Sequence, residues 1–235
     1  NWRVTYNGLS KIPALKEYFE SVNLNHAYRA TFQMGGFTSN LLFQDNGDGF
    51  PAAFDLNQNY IPEYQINTVS ISENFSPLVN FDMTWKNSLL TKIEFNRNRT
   101  VSLNMANTQI TEDRGNEYVI GAGYRFKDVV LPFQLASGKK LQSDLRTRAD
   151  FSVRDNRTII RKIVENQYQE TGGQWVFTIK ISADYEVSKQ LNIRLFFDRV
   201  ANKPVLSRSF PNSNTNAGIS LRMVPLNSID MLDSA

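Results

Sequence analysis

At 235 residues the chain is long enough for one large all-β domain, and without cysteine it has no disulfide or thiolate metal ligand available. Its 26 basic and 23 acidic residues are spread along the sequence to a net charge of +3, so the basic stripe of a nucleic-acid surface is missing. No run approaches the roughly 18 apolar residues of a transmembrane helix, whereas a β-barrel, with half-apolar strands, is compatible with a mean hydropathy of −0.40.

The chain opens on NWRVTYNG, where Trp2, Val4 and Tyr6 alternate with Arg3, Thr5 and Asn7 as in a strand. No charged and apolar signal segment precedes it, so either processing removes one or the chain is a piece of a longer polypeptide. Leu9 to Phe19 reads as a connector with a helical turn after Pro13. Val22 to Met34 alternates again, and Gly35-Gly36 ends that strand. Residues 35–62 lose periodicity and are rich in Asn, Asp and Gly, which predicts a long extracellular loop.

Tyr64 to Trp85 predicts a strand with Val69, Ile71, Phe75, Val79, Phe81 and Met83 on one side. At about 3.4 Å per residue it outruns the roughly 25 Å apolar band of a barrel, so the wall is expected to stand out of the membrane. After a turn at Asn87-Ser88 the return strand places Arg97 and Arg99 on the face of Ile93 and Phe95. Either that part rises above lipid, the preferred reading, or the strand breaks near Asn98. Thr111 to Gly115 is expected to be a polar turn, Tyr118 to Phe126 a strand, and 127–140 a periplasmic connector. Leu141 to Val153 alternates, continues less regularly to Glu165, and Asn166 to Gly173 is expected to turn.

Gln174 to Val200 is the clearest hairpin, reversing at Ser188-Lys189-Gln190. One face carries Trp175, Phe177, Ile179, Ile181 and Tyr185, then Leu191, Ile193, Leu195 and Phe197; it is predicted to meet lipid or an apolar partner. The other carries Lys180, Asp184, Arg194 and Asp198. With Arg125, Arg146, Arg148, Asp150, Arg154 and Arg222 at the same parity, these form a predicted hydrated pore wall in which cations prevail, although polar residues of any barrel face water. A Pro-containing loop, 201–211, precedes a last strand over Thr215 to Met223, and 225–235 reads as a tail. The result is an antiparallel transmembrane wall of about nine strands spanning residues 1–224. The loops at 35–62, 111–115, 166–173 and 201–211 share its outer side. A soluble sheet would instead bury the apolar face under a second layer.

Three local features are weaker. His26, the only histidine, lies on the apolar face and reads as interfacial or partner-facing rather than catalytic. Gln44, Asn46, Asp48, Gly49 and Asp55 fall loosely at EF-hand spacing, with a non-acidic first ligand and Asp in place of the bidentate Glu, so a Gly-rich turn outweighs Ca²⁺ binding. Gly121-Ala122-Gly123 sits inside a strand and is no dinucleotide fingerprint. Trp2, Trp85, Trp175, Tyr124 and Tyr185 suit interfacial girdles.

FSVRDNRTIIRKIVENQ (Phe151 to Gln167), LNIRLFFDRVANKP (Leu191 to Pro204) and SFPNSNTNAGISLR (Ser209 to Arg222) resemble the C-terminal part of the SprA (Sov) family. So do NWRVTYNGLSKIP at the start and SISENFSPLV at Ser70 to Val79. These are the very large barrels of the Bacteroidetes type IX secretion system, located in the outer membrane. The resemblance implies the closing strands of a channel that exports folded cargo proteins and supports gliding motility. It also implies the remaining strands of the same translocon, a PorV-like barrel and a periplasmic plug protein as partners, and neither catalytic residues nor a cofactor. The other readings are a self-contained small outer-membrane barrel, either porin or adhesin, and a soluble β-sandwich binding module.

Overall fold

The computed structural model describes residues 1–134, 140–188, 191–206 and 209–223. Nine strands form one antiparallel sheet in which every strand pairs with its neighbour in the chain: β1 (Trp2–Tyr6), β2 (Phe19–Gly35), β5 (Thr68–Trp85), β6 (Leu89–Asn104), β7 (Gln109–Gln134), β8 (Lys140–Lys162), β9 (Gln167–Glu186), β10 (Leu191–Pro204) and β11 (Asn212–Met223). Two short strands, β3 (Thr38–Ser39) and β4 (Tyr64–Gln65), pair with each other at the base of the long loop. Between β1 and β2 lie a 3-10 turn, Gly8–Lys11, and one α-turn, Pro13–Lys16, with proline at the helix start where its missing N–H costs nothing.

Alternation of apolar and polar residues is what makes these segments strands, since it gives each strand one oily and one wet face. The ladders keep those faces in step. In register, Phe95 opposes Tyr118, Tyr118 opposes Val153, and Val153 opposes Phe177. The principal irregularity in the first half is in β5, which carries two extra residues against both neighbours: Asn80 to Asn74 spans the same ladder length as Asn25 to Arg29, and Phe75 to Val79 the same as Arg97 to Phe95. Ser76-Pro77 lies in this bulge, where proline's lack of an N–H does least harm.

No second layer covers the sheet among the described residues. Among the described residues its buried apolar side chains are Val22, Ile159 and Tyr185. Both faces are therefore open surfaces, and β1 and β11 are edges.

Several boundaries differ from the sequence reading. Residues 111–115 are not a turn: the β6–β7 ladder is unbroken from Leu89–Tyr124 to Asn104–Gln109, and the chain reverses at 105–108, with Thr108 at φ 49°. The same ladder shows that β6 does not break at Asn98. Residues 167–173 are likewise strand; the reversal is at 163–166, with Asn166 at φ 50°. The error has one cause in both places, since polar composition on both faces resembles turn composition. Most of the 127–140 connector belongs to β7, which continues to Gln134 through register shifts after Phe126 and Val130. β10 extends to Pro204, and Tyr64 to Trp85 is divided into β4 and β5. Residues 135–139, 189–190 and the 225–235 tail lie outside the described residues.

Candidate functional surface, two faces of one sheet

On one face the side chains between two aromatic rows are uncharged over the central strands. One row contains Trp2, Tyr28 and Phe75, with ring centroids 4.4 and 4.6 Å apart, then Phe95 stacked on Tyr118 at 4.7 Å, and Phe177 with Trp175. The other contains Phe19 against Trp85 at 4.2 Å, and Tyr124 against Phe126 at 4.7 Å. Between them stand Ile93, Ile120, Ala122, Ala149, Phe151, Ile179 and Ile181. The step from Tyr118 to Tyr124 covers about 20 Å, and that from Phe177 to Tyr185 about 27 Å, at roughly 3.4 Å per residue. On β10 and β11 the uncharged run sits nearer the second row, at Leu191, Ile193, Leu195 and Phe197 opposite Met223, Leu221, Ile219 and Ala217, with Arg199 and Thr215 next along. Such a diagonal drift is what tilted strands produce.

The nine side chains assigned to this face from the hairpin all lie on it by register, with one correction. Tyr185 is only 4 % exposed, and its hydroxyl donates to the Val129 carbonyl at 2.9 Å. The register shift after Phe126 brings the β7 backbone across it, so Tyr185 is covered while Ile181 and Leu195 remain about half exposed.

Beyond the first aromatic row the same face becomes charged. Arg97 and Arg99 follow Phe95 on β6, Arg114 and Glu112 lie opposite on β7, and Asp155 and Arg157 on β8. Arg99 Nε donates to Glu112 at 2.8 Å and Arg99 reaches Glu73 at 3.7 Å; Arg157 binds Asp155 at 2.7 Å and Glu170 at 3.0 Å. The Arg157 guanidinium lies 6.0 Å from the Trp175 ring centroid. Arg97 and Arg114 have no acidic partner among the described residues.

The opposite face is polar and concave. Residues of six consecutive strands, from Asp82 on β5 to Arg194 on β10, line one recess of about 460 Å³, floored at Gly121 and Gly123. All ten predicted pore residues are on this face. A Cβ on Gly121 would come within 2.5 Å of Asp150 Oδ1, so the glycine gives that carboxylate its room. Arg148 donates to Asp150 at 2.7 and 3.2 Å. In register, Asp150 opposes Lys180, which opposes Asp198; two lines over, past Arg148, Ser182 and Phe196, Arg146 opposes Asp184, which opposes Arg194. Arg154 meets Glu117 at 2.8 Å, and Arg125 chelates Asp144. Asp144, Glu117 and Glu94 were missed as members of this face, and with Asp82 they bring its acids close to balance with its cations. The expected cationic excess is thus corrected to a charge-paired lining. The Arg148–Asp150 and Lys92–Glu94 pairs, each two residues apart on one strand, had a sequence signal; the Arg154–Glu117 and Arg125–Asp144 pairs need the register.

His26 donates from Nδ1 to the Leu78 carbonyl at 2.6 Å, in the β5 bulge, and so serves to satisfy irregular backbone. The long loop is held by its own carboxylates. Asp45 accepts from the Gly47 and Gly49 amides, Asp48 from Phe50, and Asp55 from Asn57 and Asn59. These are Asx turns. Asp48 and Asp55 each cap their own turn, and no group of three His, Cys, Asp or Glu side chains converges among the described residues. The backbone amides of Asn59 and, more weakly, Asn57, together with the Asn59 side-chain amide, hold the Asp55 carboxyl below its ordinary range.

No protein-family model matches the chain, and no curated protein matches it.

Proposed function

We propose that this chain is a membrane-spanning wall, the closing strands of a larger outer-membrane channel that exports proteins, of the type IX secretion kind that its motifs resemble. The observation that carries the reading is the single sheet face that is uncharged between two aromatic rows and charged beyond one of them. A soluble sheet has no reason to alter one face so abruptly; a barrel wall meeting lipid, interface and water in turn does. The concave, charge-paired face then lines the aqueous conduit, where alternating cations and acids give passing polypeptide no extended apolar or single-sign surface to adhere to. The end bearing the long loop is the outer side.

In this reading the remaining strands of the translocon complete the wall, and a PorV-like barrel, a plug protein and folded cargo are its partners. It works as a conduit rather than an enzyme, supporting secretion and gliding. Nine strands with two edges favour a segment over a self-contained porin or adhesin, because the first and ninth strands of an antiparallel meander run the same way and would have to close in parallel.

Cysteine accessibility provides the test, since the native chain contains none. In membranes holding the intact protein, Ile181→Cys is expected to resist a water-soluble maleimide and react with a lipid-soluble one, while Lys180→Cys reacts with the water-soluble reagent. Equal labelling of both by the water-soluble reagent would reject the wall.

A further inference from the structure

Just past the first aromatic row, three arginines from adjacent strands stand side by side: Arg99 opposes Arg114, and Arg114 opposes Arg157. Like charges placed directly opposite in a sheet destabilise it. Glu73 and Glu112 compensate Arg99, and Asp155 and Glu170 compensate Arg157, but the exposed Arg114 between them has no acid among the described residues. Arg97, exposed beside this row and next to Phe95 along β6, has none either. We propose that Arg97 and Arg114 hold the phosphate of an outer-leaflet lipid headgroup, steadied by Arg99, with the acyl chains on the band below.

The position selects that ligand. The uncharged band begins at Phe95, Tyr118 and Val153, in register with one another, so a headgroup phosphate at the arginines leaves its chains against those side chains. The flanking Trp175, in cation–π reach of Arg157, marks the headgroup depth that tryptophan favours. Guanidinium forks take up phosphate oxygens in pairs, which a lysine cannot match. A phosphate at Arg114 also relieves the repulsion in the row.

The inference rests on the membrane-wall reading, and its test separates the two. The intact protein carrying this chain is extracted in mild detergent and titrated with bisphosphorylated lipid A, with its dephosphorylated counterpart and with inorganic phosphate, by native mass spectrometry. Bisphosphorylated lipid is expected to bind, and the Arg97→Gln/Arg114→Gln pair to weaken it about tenfold or more. Arg114→Lys should fall between, and Arg146→Gln on the opposite face should change nothing. Without lipid, Arg114→Gln should unfold no earlier than the native protein, because it removes a repulsion; that separates a binding role from a structural one. Undiminished binding in the double variant, equal binding of dephosphorylated lipid, or displacement by millimolar inorganic phosphate would each overturn the site. If the cysteine labels place the band in lipid while these arms fail, only the site falls; if they do not, the wall falls with it.

Discussion

The proposed lipid-facing assignment has its sharpest consequence at single positions on β9. Ile181 lies between Ala149 and Phe197 on the apolar face, and its chain neighbour Lys180 lies between Asp150 and Asp198 on the other. Ile181→Arg is therefore expected to cost about 2 to 4 kcal/mol in assembly into membranes, whereas Lys180→Gln should cost under ~1 kcal/mol. Unfolding from bilayers by denaturant measures both, and similar costs at the two sites would sink the face assignment. Ile179 is a weaker probe because Arg199 stands opposite it.

Asp55 gives the residue scale a pH dependence. Three hydrogen bonds to its carboxylate draw its folded pKa below the unfolded value of about 3.9, so they stabilise the loop above that value and are lost as pH falls through the lower folded one. Protection factors of the Asn57 and Asn59 amides should hold from neutral pH to about 5 and decline below about 4. Asp55→Asn should remove most of that acid dependence. Protection that ignores acid in the native loop would contradict the assignment.

Among the elements, β7 and β8 are the longest, and the Gly121 notch shows what their pairing requires. Gly121→Ala places a methyl against the Asp150 carboxylate, a side-chain end that can swing aside. At Gly123 the nearest obstacle is the Thr147 backbone carbonyl, 3.3 Å from the added methyl, which must move with its strand. The first substitution should cost about 1 kcal/mol and loosen the Arg148–Asp150 pair; the second should cost more at equal added volume. Thermal unfolding of the two variants in detergent ranks them, and the reverse order would show that the ion pair, not the backbone, limits this part of the wall.

How far these elements could be read in advance depended on the physical signal. A period of two is a local property, so the face of nearly every strand was legible, down to the odd parity that puts Arg97 and Arg99 with Phe95. Turns were less so. At Thr111 to Gly115 and Asn166 to Gly173 both faces of the sheet are polar, and a strand wet on both sides has the composition of a loop. Pairings across strands, such as Arg154 with Glu117, and the covering of Tyr185 by Val129, depend on register and bulges, which no single segment encodes.

For the whole molecule the open edges matter most. Unpaired N–H and C=O groups cost several kcal/mol each in lipid, and β1 and β11 both present a free row. The 235-residue chain refolded alone in detergent is expected to aggregate or remain protease-sensitive, and to be rescued by co-expression of the strands that complete the wall. A folded, protease-resistant monomer, measured by mass and sheet content, would point instead to a small independent barrel.

The odd strand number also limits what a second copy could do. Antiparallel pairing of one β11 edge with another, or of two β1 edges, requires a two-fold axis perpendicular to the sheet. In a bilayer such an axis would turn one copy upside down, placing its long acidic loop on the wrong side. Identical chains inserted in one direction can meet only in parallel. As the membrane wall proposed above, the chain would carry its own bar against self-association through the usual antiparallel ladder, and its free edges would be left to strands of a different sequence.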